Sequence, residues 1–469
     1  VDDLIIGAPF ADGPHFSQAA AGRSYVIFGS TTWDSINLNL ADLNGSNGFE
    51  ITSPYPFGAH GWSVAGAGDL NGDNVSDLII GAPSSNANGE DSGAVVIVFG
   101  AANWTNASIK TGPSPRDTHL QLNLGEAYAD SGYSVSSAGD FNGDGLDDVI
   151  IGAPGEGKGY VIFGSSQGTS IEPTDKFEFF GGNRTGYSVS DAGDFNGDGI
   201  DDVIFGSRVR GAGENYVVFG SSDRVAQILN LDELDGLNGF KIVGINSGDQ
   251  LGTSASSLKD VNGDGIDDVI VGAYGAGANW GESYVLFGAE NWSSPVLSLS
   301  SLDSTTGYRI SGFDPGTKSG ARLSSAGDFN NDGVNDIIVG TSKEGVNGTS
   351  SPDAYILFGK SDQNLSVPDF TSPTLSAFSI NDKEFSEGDV INASITATDA
   401  SGITYALIEY TPDVGDFGDD LDMEDLDGDG IFTFSETIDN IVPYGSYVEP
   451  IDDFTHEDYV FSNENTVAE

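Results

Sequence analysis

Aspartate and asparagine recur at fixed spacing in five short stretches, an arrangement of oxygen donors that can wrap a hard cation. The donors are Asp69, Asn71, Asp73 and Asp77; Asp140, Asn142, Asp144 and Asp148; and Asp194, Asn196, Asp198 and Asp202. Two further sets are Asp260, Asn262, Asp264 and Asp268, and Asp328, Asn330, Asp332 and Asp336. They stand at positions 1, 3, 5 and 9 of a nine-residue loop. Position 7 is Val75, Leu146, Ile200, Ile266 or Val334, which can offer only a main-chain carbonyl. Calcium takes about six to eight oxygens at roughly 2.3–2.6 Å and tolerates irregular geometry. Three Asp, one Asn and one carbonyl make five donors, and a bidentate carboxylate or a water would complete the shell. About five calcium sites are therefore expected.

A plain hairpin turn could also use Asn-Gly or Asp-Gly. It would not need Asp at three fixed positions in five copies, because crowded like charges repel. Position 4 is Gly72, Gly143, Gly197, Gly263 or Asn331, residue types that tolerate positive φ. The loop differs from an EF-hand, which closes with Glu at position 12 between two helices. Here Asp closes at position 9 and β-branched residues follow at once.

Those following residues are the elements that must position the loop. Leu78-Ile79-Ile80, Val149-Ile150-Ile151 and Val269-Ile270-Val271 are short, apolar and bounded by Gly, which predicts buried strands. Ahead of the loop, Gly132–Ser136 and Gly186–Ser190 predict an alternating strand, so each loop should close a hairpin. A third strand ends in Phe-Gly: Tyr25–Gly29, Val95–Gly100, Tyr160–Gly164, Tyr216–Gly220, Tyr284–Gly288 and Tyr355–Gly359. A fourth is expected at Gly48–Ile51, Phe177–Phe180, Gly239–Ile242 and Gly307–Ile310. The connection between them repeats too, with Leu40, Leu231 and Leu299 at matching places and Trp33, Trp104 and Trp292 four residues beyond the Phe-Gly glycine. No segment sustains a helical apolar period over three turns.

Loop starts lie 54 to 71 residues apart. Four short strands per unit, with periodic Gly and aromatic positions, predict an all-β propeller whose blades must stack to bury both faces. Phe-Gly, Gly-Ala-Pro and the intervening Asp-x-Asn-x-Asp-Gly-x-x-Asp resemble the FG-GAP repeat of integrin α-subunit propellers. The integrin-α-like propeller proteins of bacterial surfaces are more similar still. This resemblance covers roughly residues 1–360. It implies a seven-bladed ring, with calcium in hairpin loops on one face and partner contacts on the opposite one. Six repeats are visible, the first truncated: Val1–Pro9 lacks the first strand and three ligand positions, leaving Asp3 as the position 9 of a sixth loop. The absent initiator Met and signal peptide fit a fragment of a longer precursor.

Residues 361–373, with Pro368 and Pro373, read as a linker. In 374–469, alternation at Ile391–Ala397 and Ile403–Leu407 predicts half-buried strands, and the pattern resembles an immunoglobulin-like or cadherin-like β-sandwich. Within it Asp425, Asp427, Asp429, Ile431 and Glu436 match EF-hand loop spacing, while the flanks are β-prone. The segment reads either as one more calcium loop or as an acidic hairpin turn.

Composition narrows the function. A net charge of −55, from 72 acidic against 17 basic residues, excludes a general binder of nucleic acid or anionic membrane. It suits a saline or calcium-rich medium, where screening makes such charge tolerable. Cysteine is absent, so metal ions and ring closure must do the stapling outside the cell. Sequons at Asn103, Asn106 and Asn183 are expected by chance in a chain this rich in Asn and Ser. No apolar run reaches the roughly 18 residues of a membrane span.

The four histidines, His15, His60, His119 and His456, share no metal spacing, and no nucleophile elbow or phosphate loop occurs. No carboxylate pair for glycoside hydrolysis stands out either. The expectation is therefore no enzyme. The chain reads as a calcium-binding extracellular adhesion or protein-interaction module, its variable loops (Ser84–Ser92, Gly155–Gly159, Arg208–Glu214) carrying specificity for a protein or glycan. The alternative is a carbohydrate-binding propeller appended to a secreted enzyme.

Overall fold

A computed structural model describes residues 3–359, except 13–19, 31–38, 54, 103, 113–117, 167–175, 183, 209–210, 225–226, 291, 313–315, 331–332 and 343–353. Beyond 359 it describes the backbone of seven strands. Chain contacts divide the protein into two units, Val1–Leu365 and Ser366–Glu469.

Unit one is a β-propeller of six described blades, each an antiparallel sheet whose strands follow one another in sequence. The second blade shows the pattern: Ser63–Gly68, Asp77–Ala82, Ala94–Val98 and His119–Leu122. Blade three runs Ser134–Gly139, Asp148–Ala153, Lys158–Ile162 and Lys176–Phe180. Blade four runs Thr185–Gly193, Asp202–Ser207, Glu214–Val218 and Gly239–Val243. Blade five runs Ser254–Lys259, Asp268–Ala273, Glu282–Leu286 and Gly307–Ser311. The first blade contributes Leu4–Ala8, Arg23–Ile27 and Gly48–Thr52, and the sixth Arg322–Gly327, Asp336–Gly340 and Ala354–Leu357. The one α-helix described is the single turn Ala276–Asn279.

Each blade has two apolar faces, so its core is shared with its neighbours. One cluster joins Ile79, Val95 and Leu122 of blade two to Val149, Ile151 and Tyr160 of blade three. The next joins Phe177 and Phe179 of blade three to Val203, Phe205 and Tyr216 of blade four. Blades four and five, and five and six, are joined in the same way. Fully burying side chains of this size is worth about 1.5–3 kcal/mol each. A lone blade would forfeit half of that, which is why the repeats must stack.

One feature of the connections is not legible in the repeat grammar. The segment between the third and fourth strands of one blade reaches back and adds a parallel strand to the preceding blade. Ser108–Lys110 pairs with Gly48–Thr52, Ile228–Asn230 with Lys176–Phe180, and Val296–Ser298 with Gly239–Val243. Short 3-10 turns follow at Leu231–Glu233 and Leu299–Ser301, where the repeated leucines sit. The repeated tryptophans then stack on the preceding blade's outer strand. Trp104 lies 4.5 Å from Phe49, and Trp292 lies 4.3 Å from Phe240 with the two rings almost parallel. Trp33 falls outside the described residues.

Unit two is also all strand. Thr374–Ile380, Val390–Thr398 and Ile431–Thr437 form one antiparallel sheet. Asp419–Met423, Ala406–Tyr410, Tyr459–Ser462 and Tyr447–Glu449 form another, in which Ala406–Tyr410 pairs parallel with Tyr459–Ser462.

Candidate metal centres

The acidic loops join the first and second strands of blades two to six, and their bends are built from side-chain-to-backbone hydrogen bonds. In blade three Asp140 accepts from the N–H of Asp144 at 2.8 Å and of Gly145 at 2.8 Å. Asn142 accepts from Asp144 N–H, and Asp144 from Leu146 N–H. The same set recurs in blades two, four and five. Positive φ at position 4 opens the bend: 73° at Gly72, 69° at Gly143, 72° at Gly197 and 78° at Gly263. Position 7 is half-buried in blades two to five and buried at Val334.

Position 9 does more than the spacing suggested. Asp77, Asp148, Asp202, Asp268 and Asp336 are all fully buried. Each accepts from the N–H of the Phe-Gly glycine on the third strand: Gly100, Gly164, Gly220, Gly288 and Gly359, at 2.7–3.0 Å. Asp77, Asp202, Asp268 and Asp336 also take the N–H of position 2. Asp3 repeats this clamp with Gly29 N–H at 2.8 Å, as a position 9 should. The glycine itself is required by close approach: a Cβ on Gly220 would sit 2.2 Å from the carbonyl oxygen of Asp201.

Position 8, which spacing alone did not single out, ties neighbouring loops together. Asp147 accepts the Asp69 N–H at 2.6 Å, Asp201 the Asp140 N–H at 2.8 Å, and Asp267 the Asp194 N–H at 3.2 Å. In each pair the acceptor lies one blade ahead. Beside these contacts, Ser165 donates to the Leu70 carbonyl, Ser221 to that of Phe141 and Ala289 to that of Phe195. The signal for this role is the recurrence of Asp at position 8 in three copies, together with Gly68, Gly139 or Gly193 just before position 1 of the preceding loop. A Cβ there would overlap the incoming carboxylate. In the fourth copy Lys259 takes the glycine's place at φ 59°, and its Nζ lies 3.2 Å from Asp267.

In four loops the structure brings the carboxylates at positions 1 and 5 close enough to act on the one at position 9. Burial pushes Asp148 and Asp268 up to about 8 and Asp77 up to about 6, and the position-1 and position-5 carboxylates add to the rise. Asp202 is driven well above the usual carboxylate range, by burial first and then by Asp198 and Asp194. Asp148 Oδ2 is buried without a hydrogen bond. Among the described residues, however, no three acidic or imidazole side chains converge tightly enough to hold a metal by themselves. Positions 1, 3 and 5 turn their oxygens onto the N–H groups of the bend instead. An all-oxygen donor set, crowded negative charge and an unpartnered buried carboxylate oxygen nevertheless fit a hard divalent cation.

In blade six Asp328 and Asp336 occupy the corresponding places, with Asp328 taking the Gly333 N–H. Asp332 lies outside the described residues, as do Asp425, Asp427 and Asp429. Ile431 and Glu436 lie on a described strand, Ile431–Thr437.

Comparison with known proteins follows the same repeats. The FG-GAP repeat family model matches residues 60–98, 131–169 and 251–286, spanning the acidic loops of blades two, three and five. Integrin alpha-3 of Cricetulus griseus is 35% identical over 157 residues, 32% of this chain and 14% of that protein. Integrin alpha pat-2 of Caenorhabditis elegans is 31% identical over 272 residues, 54% of this chain and 20% of that protein. Integrin alpha-7 of Homo sapiens is 36% identical over 153 residues, 31% of this chain and 12% of that protein. The chain thus spans a fifth or less of the length of these relatives.

Proposed function

We propose that this integrin-α-like FG-GAP propeller is a calcium-stiffened extracellular adhesion or protein-interaction module with no catalytic role. The observation that carries the reading is the fully buried position-9 carboxylate of four bends, its pKa raised by burial and further by the carboxylates at positions 1 and 5. Asp69, Asp73 and Asp77 with Asn71, and their counterparts in the other loops, would hold the ion. When bound, calcium would neutralise those carboxylates. The chain's own contribution is to fix the bend through the Phe-Gly clamp and to link it to the next blade through Asp147, Asp201 and Asp267.

The partner side rests on likeness to integrin α-chains and on loops that vary while the strands repeat. No described helix is long and apolar enough to cross a membrane. In a module of this kind rigidity serves binding, because loops held in one arrangement lose less freedom when a partner docks.

Calorimetric melting with calcium and with EGTA tests the reading. Binding to the folded state alone raises stability by RT ln(1 + [L]/Kd), about 2.7 kcal/mol per site at a hundredfold excess over Kd. A melting temperature that EGTA leaves unmoved would refute calcium binding. The immunoglobulin-like reading of residues 374–469 belongs to the same proposal.

A further inference from the structure

Two repeat positions lose their usual residue together in blades five and six, one of them already in blade four, and a cavity of about 380 Å³ lies where they meet. The residue after the glycine at or just before the start of each first strand is Trp62, Tyr133 and Tyr187 in blades two to four, but Thr253 and Ala321 in blades five and six. The aromatic members follow one another, with Trp62 5.5 Å from Tyr133 and Tyr133 4.9 Å from Tyr187. The row then stops, and the volume two more rings would fill is open. Separately, the proline of Gly-Ala-Pro stands at Pro9, Pro83 and Pro154 but gives way to Arg208, Tyr274 and Ser342 in blades four to six. Both positions are at the start of a first strand or the end of a second. The cavity is therefore at the end of the blades away from the acidic loops.

Its charge is opposite to that of the molecule. Arg208, Lys318 and Arg322 line it, three of the chain's 17 basic residues, and none of its 72 acidic residues does. Among the described residues, no carboxylate lies within ion-pair distance of Arg208 or Arg322. Arg208 is held in one orientation: Nη1 donates to the Tyr187 hydroxyl at 2.9 Å, and Nε and Nη2 donate to Gln250 Oε1 at 3.2 and 3.0 Å. Nη2 also donates to the Tyr274 hydroxyl, which donates in turn to Gln250 Oε1 at 2.7 Å. The guanidinium lies against the Tyr187 and Tyr274 rings, 5.2 and 5.5 Å from their centroids. Arg322, exposed, takes the place that Ser63, Ser134, Ser188 and Ser254 hold in the other blades.

We propose that this cavity recognises a compact carboxylate ligand. Arg322 offers a planar guanidinium that matches a carboxylate in geometry and charge, while the pre-oriented Arg208, four of whose five N–H hydrogens are already donated, adds its charge and one Nη1 hydrogen. The volume falls at the lower end of ligand pockets, so it suits one acidic group rather than a chain of them. An extended polyanion would also be repelled by the net charge of −55. The carboxylate could be carried by an acidic side chain of a protein or by a single acidic sugar. This inference goes beyond the calcium reading and is tested with calcium present throughout.

Calorimetry or ligand-observed NMR at low salt would compare a capped Gly-Glu-Gly peptide, its Gly-Gln-Gly counterpart and glucuronate. Binding of one carboxylate probe at least about tenfold tighter than the neutral peptide is expected, as for a hydrogen bond to a charged group. Whichever probe is preferred identifies the carrier. Arg322→Gln should weaken binding about tenfold or more. Thr253→Tyr, which keeps every charge and refills the volume, should abolish it while the melting temperature shows the blades intact. Equal affinity for the Glu and Gln peptides would overturn the proposal. So would binding that survives both substitutions, or none by either carboxylate at roughly 10 mM probe.

Discussion

Replacing Asp201 by Ala removes the acceptor that links blade four to the acidic loop of blade three. Its Oδ2 takes the Asp140 N–H at 2.8 Å, and the carboxyl is half-buried beside Gly139. Hydrogen bonds to a charged group contribute about 1.5–3 kcal/mol, so Asp201→Ala should cost about 2 kcal/mol. Burial raises the Asp201 pKa, the Asp140 N–H and Lys259 oppose the rise, and Asp267 and Asp140 add to it. Asn at the same place keeps an acceptor oxygen and gives up the attraction to Lys259 together with the two repulsions. Asp201→Asn should therefore stay within about 1 kcal/mol of the parent. Because blades couple mainly to neighbours, the loss should be local. Urea titration gives the overall change. Amide exchange should show Asp140 and its flanking residues opening faster, with blades one and six unaffected. Parental stability and exchange in Asp201→Ala would refute the inter-blade role, and so would an Asn variant as damaged as the Ala one.

Two further substitutions address other contacts. Gly220→Ala places a Cβ 2.2 Å from the Asp201 carbonyl oxygen and strains the clamp to Asp202, so a urea-unfolding loss of about 3 kcal/mol is expected; an unchanged midpoint would show that the Phe-Gly glycine is dispensable. His60 is buried, its Nε2 has no hydrogen bond, and burial lowers its pKa from 6.5 to about 4. The unfolded chain then binds more protons between those values, so this group's contribution is complete above about pH 6.5 and is lost as pH falls toward 4. Relative to His60→Asn, the parent should lose about 2 kcal/mol between pH 7.5 and pH 5; a stability difference constant across that range would exclude the assignment.

Local chemistry made much of this protein legible before any coordinates. An apolar run bounded by Gly is a strand wherever it packs, and an Asp-x-Asn-x-Asp bend uses its own side chains to cap its own amides. Hence the hairpins, the loop positions and the blade grammar could be read directly from residues 60–340. Partners one blade away could not. Asp201 and Asp147 are ordinary acidic residues until the preceding loop presents an N–H to them, and Phe-Gly needs glycine only because the position-8 carbonyl comes so close. The parallel strands at Ser108–Lys110, Ile228–Asn230 and Val296–Ser298 look like loop in sequence because their hydrogen-bond partners belong to the blade before. Arg208, Thr253 and Arg322 lie far apart along the chain, each where a repeat position departs from its usual residue, and only blade packing could set them around one cavity. Periodicity along the chain specified the blades, whereas the contacts between them depended on distances that close only when the blades stack.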